Sequence, residues 1–303
     1  DEGFNREYVN IEKERRRIVI ESQKDDKDSY AYERIISIMY NDTEFGINKN
    51  GYLEDIEKIN EKSLYNRYKD IIKDGKIDIF IAGNINEEYV KNLVLNNKYI
   101  NNLNERDISK YLVDIEKYEK NRKEKVENIV EKMDVTQGKL VIGLDVLEKV
   151  KSDDRFKILI YNTILGDGAN SKLFKNVREK ASLAYTCKSN YVVQKSNIFI
   201  RAGIEIENYN KALEVINNEL DNMRNGKFED EDLENAKRYI YSGIDAIKEE
   251  QNTAIIFFYG EEVSLNKVTI EEYYEKIKNI TREIIEIAKR VNINTIYFLR
   301  NNN

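Results

Sequence analysis

Residues 184–205, AYTCKSNYVVQKSNIFIRAGIE, hold two runs rich in β-branched and aromatic residues, 184–193 and 196–205, on either side of the polar pair Gln194-Lys195. This pattern predicts two antiparallel strands joined by a turn. Upstream, 126–135 is strand-like, and KLVIGLDV at 139–146 is apolar enough to be a central strand. Between the strands, 155–165 reads as an apolar helix ending at Gly166-Asp167-Gly168, and 171–183 as a short helix. Helices follow at 209–225 and 229–250, then a pair reaching 291, and a last strand at 295–299. Antiparallel strands set apart from helices predict an α+β fold with helices packed on one face of each sheet.

The first third is mostly helical. Helices are expected over 7–22, through Tyr30, Ile35, Ile36 and Met39, and over 52–59, 61–72 and from Glu87. KIDIFIAG at 76–83 alternates Ile77, Ile79 and Ile81 on one face and predicts a strand. The two regions also repeat one another. Ile56-Glu57-Lys58-Ile59 precedes a helix that leads to 79–84, as Tyr274-Glu275-Lys276-Ile277 precedes one that leads to 297–301, and helix 7–22 then corresponds to 231–248. The expected organisation is two homologous lobes, 1–103 and 123–303, with a linker at 104–122 dense in Asn, Lys and Glu. The second copy has a strand-helix-strand head and the first has none, so the first lobe is expected to lack its N-terminal part.

Composition excludes much chemistry. The 303 residues include no His, no Pro and no Trp, where average usage would give roughly 15 prolines. Without histidine the chain offers no His-liganded zinc site, no Ser-His-Asp triad and no Cys-His dyad. Cys187 is the one cysteine, so an internal disulfide is impossible, and the thiol reads as an inert small hydrophobe in a reducing, cytoplasmic setting. A formal net charge of −6 argues against a nucleic-acid coat. The longest apolar run, 254–259, is far short of the roughly 20 residues that span a bilayer.

Two constellations remain. Glu14 and Glu21 in ERRRIVIE are two helical turns apart and share a face, which suits one cation, one proton-transfer site, or an exposed helix with Glu-Arg pairs. Gly166-Asp167-Gly168-Ala169-Asn170-Ser171, followed by Arg178 and Tyr185, is either a glycine-bearing anion loop with an Arg and a phenol for a carbonyl oxygen, or a helix cap before a salt-bridged helix.

The run LGDGANSKLFKNVREKASLAY at 165–185 resembles the second-half signature of the insulinase and pitrilysin family of zinc metallopeptidases, and residues 7–51 resemble the part of the first half that follows the zinc motif. The likeness is greatest to small bacterial members related to processing peptidases, especially a non-catalytic partner type. The resemblance implies that Glu21 stands at the distal zinc-ligand position and Glu14 at a second acidic position of the same helix. It implies that Arg178 and Tyr185 grip the substrate backbone and steady the tetrahedral oxyanion, and that Gly166 and Gly168 belong to a turn facing the substrate chamber. HxxEH, which supplies two zinc ligands and the general base in active members, is absent because no His is present.

The resemblance therefore implies a non-catalytic, peptide-gripping subunit that binds no zinc as given, paired with a zinc-bearing homologue or with itself. The alternatives are a piece of an active zinc endopeptidase whose HxxEH lies upstream of Asp1, and a structural scaffold without peptide binding. Expected partners are peptides or proteins, not nucleic acid or membrane.

Overall fold

The computed structural model describes residues 3–41, 43–101, 109, 125–146, 151–264 and 268–302. In chain order the helices are α1 (Arg6–Ser22), α2 (Lys27–Met39), α3 (Leu53–Lys58), α4 (Glu61–Asp74), α5 (Glu87–Leu95) and α6 (Lys98–Asn101). Strands β1 (Glu127–Lys132) and β2 (Gly138–Val146) precede α7 (Asp154–Leu165), a π-helical segment Phe174–Lys180, β3 (Ala184–Val192) and β4 (Asn197–Ile204). The chain continues with α8 (Tyr209–Arg224), α9 (Asp230–Glu249), α10 (Gln251–Val263), α11 (Ile270–Lys278), α12 (Ile284–Ala288) and β5 (Val291–Arg300). The α+β class read from the sequence holds, with one sheet and many helices among the described residues. No helix among them is long and apolar enough to cross a membrane.

Two compact units divide the chain, the first formed by Asp1–Ser22, Lys49–Val113 and Ala246–Lys267, the second by Gln23–Asn48, Asp114–Asp245 and Val268–Asn303. This grouping cuts across the linear boundaries 1–103 and 123–303 suggested by the repeat. The expected linker 104–122 lies outside the described residues except for Ser109.

The second unit holds a five-stranded sheet in the order β1-β5-β2-β4-β3. β2 runs antiparallel to β4 and β5, and β3 antiparallel to β4. β1 departs from the antiparallel expectation: it pairs parallel to β5, Glu127 with Thr295 through Lys132 with Arg300. A parallel pair needs a long crossover, and β2, β3, β4 and helices α7 to α12 lie between these two strands in sequence. β2 and β4 are buried along almost their whole length, which requires cover on both faces.

On one face Leu140, Ile142, Leu144, Ile198 and Ile200 are fully buried. Tyr209, at the start of α8, packs its ring on Phe298 at 4.5 Å on this side, and α7, α8 and α12 pack together as the layer. The other face is covered by α2, whose Ala31 and Ile35 pack with Val141, Phe199, Tyr297 and Leu299. This corrects the expectation of helices on one face only: side chains alternate along a strand, so Val141 and Tyr297 need their own cover. Polar bonds fasten α2 as well. Glu131 on β1 accepts from Tyr30 Oη at 2.6 Å, Arg34 Nε at 2.9 Å and Tyr297 Oη at 3.0 Å. Arg201 on β4 pairs with Asp28, and Tyr40 Oη donates to Asn197.

The first unit contains α1, α3 to α6 and α10, and little of these helices is buried: Val9 in α1, Ile56 in α3, Glu261 in α10, and no residue of α4. The expected strand at 76–83 runs as unpaired chain without a ladder among the described residues, and Ile77, Ile79 and Ile81 are each about half exposed, at 49, 50 and 49%. Alternation gives a segment the surface of a strand, but a strand exists only when a neighbour supplies its hydrogen bonds. Phe80 meets Tyr259 of α10 edge to face at 5.7 Å.

Candidate functional site

Glu14 and Glu21 both lie exposed on α1. Arg17 bonds Glu14 with one nitrogen and Glu57 of α3 with the other, so Glu14 belongs to a surface ion-pair chain. Glu21 has no ion pair or hydrogen bond of its side chain among the described residues. Nor does any group of three or more His, Cys, Asp or Glu there have a geometry that could hold a metal ion. A zinc ion needs about four close ligands of suitable charge and direction. The described residues do not fit it.

The 165–185 block forms a coherent local site in the second unit. α7 ends at Gly166, whose N–H donates to Asn162 O at 2.9 Å, as does that of Asp167 at 3.1 Å. The Gly166 carbonyl then accepts the Ser189 N–H of β3 at 2.8 Å. Chain and strand come so close that a Cβ on Gly166 would lie 2.5 Å from Ser189 Oγ and 2.7 Å from Ser189 N. Ser189 Oγ in turn donates to Asn162 Oδ1 at 2.7 Å, a buried bond that ties α7 to β3. Gly168 takes φ +125°, which favours glycine, and lies against the ring of Tyr239 on α9.

Tyr185 and Arg178 are both exposed, Tyr185 by 61%. β3 pairs Ala184 with Ile204 and Thr186 with Gly203, leaving Tyr185 as the extra residue of a β-bulge. Bulges re-aim a side chain and sit preferentially at sheet edges, and β3 is the outer strand of this sheet among the described residues. The phenol donates to Glu205 Oε1 at 2.7 Å, and this bond to a carboxylate raises its pKa. Arg178, on the π-helical segment, lays its guanidinium over the Phe174 ring at 4.6 Å. The two side chains thus have separate partners within one short stretch of surface chain. Cys187 is buried, which pushes its thiol up to about 12 and leaves it unreactive.

The sequence reading passed over Asp167 as a functional group and missed Tyr239 altogether. Tyr239 Oη donates to Asp167 Oδ1 at 3.4 Å across 72 positions of chain. No spacing rule reaches that far; only the two glycines flanking Asp167 hinted that the loop is held close to something. Burial raises the Asp167 pKa, against the lowering effects of the Tyr239 bond and the charge of Lys188.

Residues 58–240 match the family described as the peptidase M16 inactive domain. The chain is 28% identical over 300 residues to the "Probable inactive metalloprotease YmfF" of Bacillus subtilis (strain 168), covering 99% of this chain and 69% of that protein. It is 22% identical over 267 residues to the "Uncharacterized zinc protease YmxG" of the same organism, covering 87% and 63%. Among solved structures, a conserved protein from Enterococcus faecalis superposes with a TM-score of 0.87 at 27% identity, over 99% of this chain and 69% of that one. The peptidase M16 inactive domain from Pseudomonas fluorescens superposes with 0.76 at 15% identity, over 99% and 71%, a likeness of fold alone.

Proposed function

The chain belongs to the peptidase M16 inactive-domain family, and on that premise we propose that it grips extended peptides without cutting them, as the partner of a zinc-bearing homologue. The observation that carries this reading is the outer strand β3, which presents an exposed Tyr185 at a bulge, seven positions after the exposed Arg178. An open edge offers main-chain donors and acceptors to a peptide that adds as a further strand, and such binding is indifferent to most side chains. Arg178 supplies further donors for peptide carbonyls, and the Tyr185 oxygen, whose proton goes to Glu205, supplies an acceptor for a peptide N–H. Ser189 and Gly166 already bond to each other, so the part of the edge left for a peptide is the stretch around Tyr185, Thr186 and Cys187. The cutting chemistry, which needs a metal-activated water and a base, falls to the partner. The proposal includes a cytoplasmic setting, supported by the one cysteine in the chain.

The test is peptide binding measured by fluorescence anisotropy on the whole protein. Arg178→Ala and Tyr185→Phe should each weaken an extended peptide about three- to tenfold, the scale of one lost hydrogen bond of about 0.5–1.5 kcal/mol. Unchanged affinity in both variants supports a scaffold instead. Peptidase activity accompanied by one zinc per chain would replace the proposal with an active endopeptidase.

A further inference from the structure

Asn-Gly occurs twice in the chain, at Asn50-Gly51 and at Asn225-Gly226. The pair matters chemically because a glycine has no Cβ to crowd its nitrogen, which can close on the preceding side-chain amide carbon into a succinimide ring. What holds that nitrogen and that amide decides whether the ring forms. The two pairs are held in opposite ways.

Asn225-Gly226 is a locked cap at the end of α8. The Gly226 N–H donates to Met223 O at 3.1 Å, Asn225 Nδ2 donates to Asp221 O at 2.8 Å, and the Lys227 N–H closes the turn on Asn222 O at 2.8 Å. Gly226 also lies against Ile285, whose Cδ1 would stand 2.8 Å from a Cβ. The attacking nitrogen and the leaving amine are therefore both engaged in bonds that ring closure has to break.

Asn50-Gly51 lies just before α3. Among the described residues no backbone carbonyl accepts the Gly51 N–H, and a Cβ on Gly51 would have no atom within 4 Å, so base and water can reach this peptide bond. Gly51 takes φ +82°, a conformation that favours glycine. Arg16, exposed on α1, donates from Nη1 to Asn50 Oδ1 at 3.5 Å. That oxygen gains negative charge when the amide carbon is attacked, and a guanidinium beside it stabilises the charge. The pair also follows the point where the chain crosses between the compact units, since Asn48 belongs to the second and Lys49 to the first.

We propose that Asn50 is a self-modifying site, converted to aspartate and isoaspartate by its own neighbours. The Gly51 nitrogen gives its proton to a solvent base and bonds to Asn50 Cγ. The bond from Cγ to Nδ2 breaks, and the nitrogen leaves as ammonia with a proton from solvent. Water then adds to either carbonyl of the succinimide and opens the ring, giving aspartate or isoaspartate. Nothing is oxidised or reduced, and water is the reagent consumed. Conversion adds a negative charge next to Arg16, and the isoaspartate form routes the backbone through the side-chain carbon. The change is one-way, so it marks the age of the molecule at the crossing between its units, and it is independent of peptide binding.

The experiment incubates the whole protein at mildly alkaline pH and follows both asparagines in one digest by mass spectrometry, with isoaspartate separated from aspartate by chromatography. Asn50 should convert about tenfold faster than Asn225, whose glycine nitrogen must first lose a hydrogen bond. Isoaspartate should be among its products, because only the ring gives it. Arg16→Gln should slow Asn50 about threefold, the scale of an exposed charge contact, and leave Asn225 unchanged as the report that the fold is intact. Equal rates at the two asparagines overturn the proposal, as does conversion of Asn50 to aspartate alone, the product of direct hydrolysis. An unchanged Asn50 rate in Arg16→Gln overturns the part given to Arg16 and leaves ring closure standing.

Discussion

Gly166 is the residue on which the candidate site turns. Its carbonyl stops the outer edge of β3, and its missing side chain lets α7 end against Ser189. Gly166→Ala would place a methyl group 2.5 Å from Ser189 Oγ and 2.7 Å from a backbone nitrogen that cannot move away freely. We expect a loss of about 1–3 kcal/mol, read as a lower thermal midpoint, together with loosening of the Ser189 amide in hydrogen exchange. Arg178 and Tyr185 behave in the opposite way. They are exposed, and their replacement should leave unfolding within about 0.5 kcal/mol of the wild type while peptide affinity falls. All four of Gly166, Gly168, Arg178 and Tyr185 were legible as a block because they fall within 21 residues and their types are chemically unusual together. Tyr239 was not, since nothing in residues 165–185 points to a phenol on α9.

At the scale of elements, α2 shows how a helix is recruited. Its periodic stripe through Ile35 was visible in the sequence, but the stripe says only that the helix needs cover, not where it finds it. It finds Val141, Phe199, Tyr297 and Leu299. Glu131 sits at the edge of this contact. Burial alone would push its carboxyl up, but the bonds from Tyr30, Arg34 and Tyr297 outweigh that and hold it below the ordinary carboxylate range. A carboxyl with a depressed native pKa contributes stability that is present above the unfolded value and lost as pH falls through the native one. Acid should therefore weaken the docking of α2 below about pH 4, and Glu131→Gln should flatten that dependence while costing about 1–3 kcal/mol at neutral pH. Urea unfolding at a series of pH values checks both.

The segment 76–82 provides the contrast: it has the alternation of a strand and none of the pairing. Its amides should exchange with solvent far faster than those of β5, which lies between β1 and β2. Protection equal to that of β5, measured by mass spectrometry, would contradict the unpaired conformation.

Over the whole molecule, the repeat and the compact units tell different stories about the same elements. The order α1, α2, α3, α4 and the 76–82 segment parallels α9, α10, α11, α12 and β5. Yet α2 belongs to the second unit and α10 lies wholly within the first. The compact units therefore do not follow the linear halves that the sequence pattern suggests. The want of histidine acts at this scale too, because a metal site can draw ligands from anywhere in a fold. The carboxylates of the described residues form no such cluster, and protein dialysed against micromolar zinc should retain well below one ion per chain. Elemental analysis decides this.

By itself the sequence determined the α+β class, nearly all the helices and sheet strands, the 165–185 block and the lack of zinc-binding histidines. These depend on periodicity, residue type and short spacing, all of which are local. Only the tertiary structure decided that β1 runs parallel to β5, that α2 covers the second face of the sheet, that Gly166 closes the edge of β3, and that Tyr239 stands behind Asp167. The physical reason is that such choices are made between segments tens to hundreds of residues apart. Loop closure adds little cost with length, so many partners are affordable to the chain, and burial and hydrogen bonding select among them.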